Sequence, residues 1–310
     1  MPAKAPRWSL AYVILRIRTK VPRKVRSKNT ENLKRLNRLD SRVDFPLALT
    51  SRAVLMRAMV RALVILISLI ASPLSASAMV GGAGAASPEI ARAIVLIVGS
   101  RGNFCSGVAL ARDLVLTAAH CVLPGADYKI VEYDSARQPQ LRDVRSVTAH
   151  PKFDIKTLLA HRATADVALL KLAAPLASVT PAALGGPGFT VAPADTFIVA
   201  GTGVATRGDG KSGGTVRAAN LVATGRPGTL QIRLHDAATK GDKAGLGACT
   251  GDSGGPVFRI ENGAPAIIGV VSWSTGPGNA GGCGGLTGVT PLTLYREWIT
   301  RSAKILGNQI

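Results

Sequence analysis

Gly251-Asp252-Ser253-Gly254-Gly255-Pro256 is the stretch on which the reading of this sequence turns. At average composition, with Gly about 7% and Pro about 5%, that hexapeptide arises by chance at roughly one in ten million start positions. Its content is chemical. A serine hydroxyl becomes a useful nucleophile only when a base takes its proton. The glycines let the backbone turn so that the amides of Gly251 and Ser253 can point at one spot, an oxyanion hole worth roughly 3 kcal/mol of transition-state stabilisation.

Two further pieces offer the partners. Thr117-Ala118-Ala119-His120-Cys121 ends an apolar strand. A single histidine is commonly structural, yet this one stands beside a cysteine that can staple its strand, which holds a base still. Ala165-Asp166-Val167-Ala168-Leu169-Leu170 leads an acid directly into a hydrophobic run. Such an acid, taken alone, reads as a solvated turn residue. Together, Ser253 as nucleophile, His120 as base and Asp166 as the carboxylate that fixes the base's tautomer meet the needs of acyl transfer. Spacing leaves open whether the three meet.

Composition sets the class. The 310 residues are 47% apolar and 18% charged, enough to bury a sizeable core, which excludes disorder throughout. Aromatics are scarce at 4% and glycines number 34, a balance suited to tight turns rather than long helices. The net charge of +20 suggests a binder of nucleic acid or of membrane surfaces. Its distribution argues otherwise: residues 1–78 hold 16 basic and 3 acidic side chains (+13), leaving 22 and 15 (+7) for residues 79–310. All four cysteines, Cys105, Cys121, Cys249 and Cys283, fall in the second part with no Cys-x-x-Cys, which points to two disulfides in an oxidising compartment rather than to zinc.

Two of the front basic residues belong to a targeting pattern. Arg57 and Arg61 precede the apolar run Ala62 to Ala71, which is followed by Pro73 and then Ser75-Ala76-Ser77-Ala78. Positive flank, short apolar stretch and Ala-x-Ala are the order of a secretory signal peptide, here residues 56–78. As a helix the run would rise about 15 Å, half of a bilayer core of roughly 30 Å, so a membrane anchor fits poorly. Residues 1–55 are basic and without periodicity, and they precede a signal that ordinarily opens a chain. Met56 or Met59 would give it an ordinary length, so the expectation is that Met1 to Leu55 is a misassigned start. The alternative is a basic arm that binds nucleic acid or anionic lipid.

From residue 79 onward short apolar runs alternate with Gly, Pro, Asp and Asn. Strands are expected near Ala93–Val98, Ser106–Ala111, Leu114–Ala118, Ala168–Leu172, Phe197–Ala200, Gln231–Leu234, Pro256–Ile260 and Ile267–Trp273, giving an all-β sandwich or barrel. One helix is expected over Leu292–Leu306, with Leu292, Tyr295, Ile299 and Ala303 on one face and Gly307 as its stop.

These pieces, with Ser272-Trp273 and the start Met79-Val80-Gly81-Gly82, resemble the trypsin-like (chymotrypsin-fold) serine peptidases of the bacterial secreted type, in the family's order over residues 79–310. The resemblance implies two six-stranded antiparallel β-barrels with the active site between them and a C-terminal α-helix. His120 and Asp166 would come from the first barrel and Ser253 from the second. It implies the bridges Cys105–Cys121 and Cys249–Cys283. In the chain-entropy model the first, which closes a loop of 17 residues counted inclusively, contributes about 3 kcal/mol.

It also implies a switch. Relatives activated by a new N-terminus keep an acid beside the nucleophile, here Asp252, to pair with the buried α-ammonium. Cleavage after Ala78 would make Met79 that terminus, so signal peptidase itself would activate the enzyme on export to the periplasm or beyond. Met79 departs from the family's usual isoleucine or valine. The resemblance places the floor of the specificity pocket at Gly247 and its walls at Ser274 and Gly288, beside Ser272 and Trp273. Without an acid at the floor, a lysine or arginine would be buried unpaired, so uncharged side chains are expected before the cleaved bond. Gly201-Thr202-Gly203 stands in place of the usual Gly-Trp-Gly. The expected partners are protein or peptide substrates and signal peptidase, with only transient membrane contact during export, a monomer, and no cofactor, metal or nucleic acid. A non-catalytic binding protein on the same fold is the alternative.

Overall fold

The computed structural model describes residues 79–134, 136, 138–225 and 230–310, so the basic segment and the signal peptide lie outside the described residues. Some strands alternate buried and exposed residues, as Ile232–His235 does, whereas others, among them Leu114–Thr117 and Thr287–Pro291, are buried along their whole length. β1 (Ile94–Gly99), β2 (Phe104–Ala111), β3 (Leu114–Thr117), β4 (Tyr128–Tyr133), β5 (Pro139–Ala149) and β6 (Ala168–Leu172) pair in the order β1-β2-β3-β6-β5-β4 and close into an antiparallel barrel.

A second ring follows. β8 (Thr196–Gly201), β9 (Arg217–Ala223), β10 (Ile232–His235), β13 (Thr287–Pro291), β12 (Ala264–Ser274) and β11 (Pro256–Glu261) are neighbours in that order, and β11 pairs back to β8. The two-residue β7 (Ala183–Leu184) lies parallel beside β12. The expected pair of six-stranded barrels is therefore what the chain forms.

Three apolar clusters follow from this arrangement. Val95, Ile97, Val115, Ile130, Ala168 and Leu170 fill the first barrel. Phe197, Val199, Leu221, Ile232, Leu234, Val257 and Val289 fill the second, together with Met79. Between them Val108, Leu114, Leu116 and Leu169 meet Phe258, Ile267 and Val270. β3 shows how one strand serves two cores: Leu114 and Leu116 face the junction while Val115 faces the barrel interior, so all four of its residues are buried.

The C-terminal helix is shorter than expected. Residues Leu292–Leu294 form a 3₁₀ turn, Tyr295 leaves the helical region at φ −118°, and the α-helix proper runs over Arg296–Ile305. Ile299 and Ala303 bury against the junction cluster, so the expected apolar face does its packing. Two one-turn helices were not expected, Pro88–Ala91 and Ile155–Leu159 (α1 and α2, the C-terminal helix being α3). Their caps are legible: Ser87 accepts from Ile90 N–H, and Asp154 from Lys156 N–H. Among the described residues no helix is long and apolar enough to cross a membrane.

Candidate active site

The register of β3 and β6 sets the first two residues. Thr117 pairs with Ala168, so the 3₁₀ turn Ala119–Val122 that follows β3 and the segment that precedes β6 emerge at the same end of that strand pair. His120 and Asp166 therefore meet. His120 Nδ1 lies 2.8 Å from Asp166 Oδ2, and the backbone N–H of His120 donates to Oδ1 at 3.0 Å. Ser272 Oγ donates to Oδ2 at 2.6 Å. Asp166 is fully buried, and these three donors satisfy it. A carboxylate so placed holds the ring proton on Nδ1 and leaves Nε2 with a lone pair, the tautomer a general base needs. Ser272, which the resemblance assigned to the substrate pocket, gives its hydroxyl to Asp166.

Ser253 arrives from the second barrel. Its carbonyl accepts from Ser106 N–H on β2 at 2.8 Å, a hydrogen bond that crosses between barrels. Gly254, at φ +75°, presses against the strand that leads to His120: a Cβ there would stand 2.1 Å from Thr117 Oγ1 and 2.8 Å from Ala118 N. Ser253 Oγ makes no hydrogen bond among the described residues, to His120 or to any other group. The N–H groups of Gly251 and Ser253 likewise have no acceptor, whereas those of Asp252, Gly254 and Gly255 are all used. Two idle donors beside a serine hydroxyl form an arrangement able to hold an oxyanion.

Gly254→Ala tests the closeness of this seam. Its methyl has no room and its backbone conformation is foreign to an L-residue, which costs about 3 kcal/mol or more. A melting temperature lower by about 10 °C in calorimetry is the expected result. An unchanged transition would show that the loop does not pack as described.

Ser106 is the residue that sequence reading missed. Buried completely, its Oγ donates to Gly251 O at 2.8 Å, accepts from Thr202 N–H at 2.8 Å and lies 3.0 Å from Thr202 Oγ1. It ties β2 to both the nucleophile loop and the Gly201-Thr202-Gly203 turn. A serine at an inward position of an otherwise apolar strand, Cys105-Ser106-Gly107-Val108, was the available signal.

Asp252, next to Ser253, has no cationic group in hydrogen-bond contact among the described residues. It is fully buried and accepts from Gly203 N–H at 2.8 Å and Cys249 N–H at 2.9 Å. Burial pushes its carboxyl up from 3.8 to about 7, against those two N–H groups and the more distant charge of Arg217. Met79 is buried in the second barrel's core, and Val80 bridges to Gly247. Met79 and Asp252 share no hydrogen bond in this continuous chain, where the nitrogen of Met79 is an amide.

The expected pocket residues fall together. Trp273 pairs with Gly288 and Ser274 with Thr287 across β12 and β13, and Thr287 Oγ1 accepts from Ala248 N–H at 3.0 Å, tying the Gly247 segment to that wall. Gly247 and Gly288 are buried, and Ser274 Oγ donates to Gly282 O at 3.2 Å. Both expected disulfides are present, Cys105–Cys121 and Cys249–Cys283. The donor atoms of Cys105, His120 and Cys121 lie within 4.8 Å of one another, but the disulfide removes both thiolates that a metal would need. Around Tyr128–Asp143, Glu132 accepts from Ala177 N–H, Ser178 N–H and Oγ, and Arg142 Nε.

A family model described as Trypsin matches residues 79–299. The chain is also 31% identical over 219 residues to the mouse (Mus musculus) protein named Serine protease 56, a match that covers 63% of this chain and 34% of that protein. The chain thus spans about a third of the length of that relative. With two antiparallel barrels meeting at a His–Asp pair and a Gly-Asp-Ser-Gly-Gly loop, and with the family match over most of its length, this chain belongs to the trypsin family of serine endopeptidases.

Proposed function

We propose that this protein is an exported endopeptidase that cleaves peptide bonds through an acyl-enzyme on Ser253. His120 Nε2 takes the proton of Ser253 Oγ as that oxygen attacks the carbonyl carbon, and then delivers it to the leaving amine. Asp166 keeps the imidazole oriented and stabilises its charged form. The amides of Gly251 and Ser253 receive the oxyanion. Water then attacks the acyl-enzyme by the same route in reverse. The observation that carries this reading is the His120 Nδ1 to Asp166 Oδ2 hydrogen bond beside a loop whose two amides are unused.

Activation is the second part of the proposal. Signal peptidase cuts after Ala78 and so creates an α-ammonium at Met79, which pairs with Asp252 and sets the nucleophile loop. The burial of Met79 and its position next to the Val80–Gly247 bridge support this, since the segment already lies in the second barrel. Before cleavage Asp252 has no such charge to pair with, so the cytoplasmic precursor stays inactive and export is the switch.

The floor at Gly247 carries no charge, and the acids beside it are engaged: Asp252 with backbone N–H groups and Asp236 with the N–H groups of Ala238 and Leu246. Uncharged residues are therefore preferred before the cleaved bond. In a library of peptides varied at that position, kcat/KM for leucine, methionine, phenylalanine or tyrosine is expected to exceed that for lysine or arginine by about 100-fold, the scale of burying an unpaired cation. A preference for lysine or arginine would overturn this pocket.

A further inference from the structure

Trp273 stands between the His–Asp pair and the pocket: Ser272 before it bonds Asp166, and Ser274 after it lies on the pocket wall. Two neighbouring strands and a turn of the first barrel build its surroundings. Gly288 faces it from β13, where a Cβ would come within 2.1 Å of the indole, so the bare glycine makes room for the ring. Arg233 pairs with Gly288 from β10, and its guanidinium lies over the indole, 5.9 Å from the centroid. From the first barrel His161 stacks on the indole, centroids 4.7 Å apart and planes 12° from parallel.

This surface holds more donors and positive charge than acceptors. Trp273 is 8% exposed, and its indole N–H is buried without an acceptor among the described residues. That N–H lies against Gly288, so the side of the surface open to a ligand is the one that carries Arg233. Arg233 is exposed and has no carboxylate partner among the described residues, nor does Arg162 on the segment that carries His161, whereas Lys156 lies in the field of Asp154. The acid of that segment, Asp154, is spent on Lys156 N–H and the hydroxyl of Thr157. The segment is held in place: His161, at φ +51°, donates its N–H to Leu158 O at 2.8 Å, and Arg162 N–H donates to Thr157 O at 3.0 Å.

We infer that His161, Trp273 and Arg233 form a binding site for an acidic side chain of the substrate, on the acyl side of the cleaved bond. The inference rests on the peptidase reading above and gives that site its substrate class: peptides with an uncharged residue at the cleaved bond and aspartate or glutamate a short distance before it. The carboxylate sits near the guanidinium of Arg233 and is within the field of the other cations, an arrangement that favours binding more than turnover.

The test uses peptides that differ only by Glu or Gln at the second, third or fourth residue before the cleaved bond. At one of these positions Glu is expected to be favoured about five-fold in kcat/KM, through KM, with the ratio shrinking toward one at about 0.5 M salt. Arg233→Gln brings the ratio to about one, whereas Lys304→Gln, on the exposed side of α3, leaves it near five. A ratio near one in the unmodified enzyme at all three positions overturns the inference, as does a preference for Glu that persists in Arg233→Gln. A preference for an aromatic residue instead of Glu overturns it too. Fluorophosphonate labelling of Ser253 in the same samples separates the two layers. Labelled enzyme without a Glu preference defeats this inference alone, and unlabelled, inactive protein defeats the peptidase reading and this inference with it.

Discussion

Ser253→Ala is expected to lower kcat on a peptide ester by about a million-fold and to abolish the initial burst of product, because no acyl-enzyme can form. Asp166→Asn should cost about ten-thousand-fold while leaving the fold in place, since an amide in that position favours the wrong imidazole tautomer. The contrast is informative. If the dyad acted only as a structural clasp, Asp166→Asn would shift the melting temperature and leave kcat nearly unchanged. A burst that survives in Ser253→Ala would put the nucleophile elsewhere.

The second large effect concerns Asp252. In the continuous chain its carboxyl is raised from 3.8 to about 7, so the folded state holds that proton more tightly than the unfolded state does. Folding then takes up a proton between about pH 4 and 7, and stability falls as pH rises through that window, levelling off above it. A shift of that size corresponds to on the order of 4 kcal/mol. An ammonium at Met79 removes the effect by stabilising the charged carboxylate. A chain beginning at Ser77 should therefore lose stability between about pH 4 and 7 in denaturant titrations, and a chain beginning at Met79 should not. The longer chain should also be about a thousand-fold less active at neutral pH, because its oxyanion loop lacks the ion pair. Equal activity and parallel pH curves would contradict the switch.

How far the sequence foretold this molecule depends on what each residue had to do. Buried strands such as Leu114–Thr117 and Ala168–Leu172 were legible because each holds three consecutive apolar residues, Leu114–Leu116 and Ala168–Leu170. β5 was not: Pro139–Ala149 is exposed or half-exposed along its whole length and carries Gln140, Arg142, Asp143 and Arg145, so neither face reads as apolar. β4 was hidden by Lys129 and Glu132, although Glu132 is buried because Arg142, Ala177 and Ser178 satisfy it. β13, Thr287–Pro291, is entirely buried yet holds one strongly apolar side chain, Val289; it lies between β10 and β12, with Val289 in the second barrel's core. These are tertiary effects with no local signature.

The site divides in the same way. His120, Asp166 and Ser253 were readable because their neighbours are unusual in sequence. Ser106 and the stacking of His161 on Trp273 were not, because each depends on two barrels meeting, and the second also on the left-handed backbone of His161 after a one-turn helix. The +20 charge of the whole chain pointed toward nucleic acid or membranes until its position in residues 1–78 was counted. The charge that matters at the site is the smaller, local excess around Arg233.

The most direct test is the intact mass of the secreted protein after reaction with a fluorophosphonate probe, followed by mapping of the modified residue. The account predicts a single adduct on Ser253 of a chain that begins at Met79. No adduct, an adduct elsewhere, or a labelled chain that begins at any other residue would contradict it.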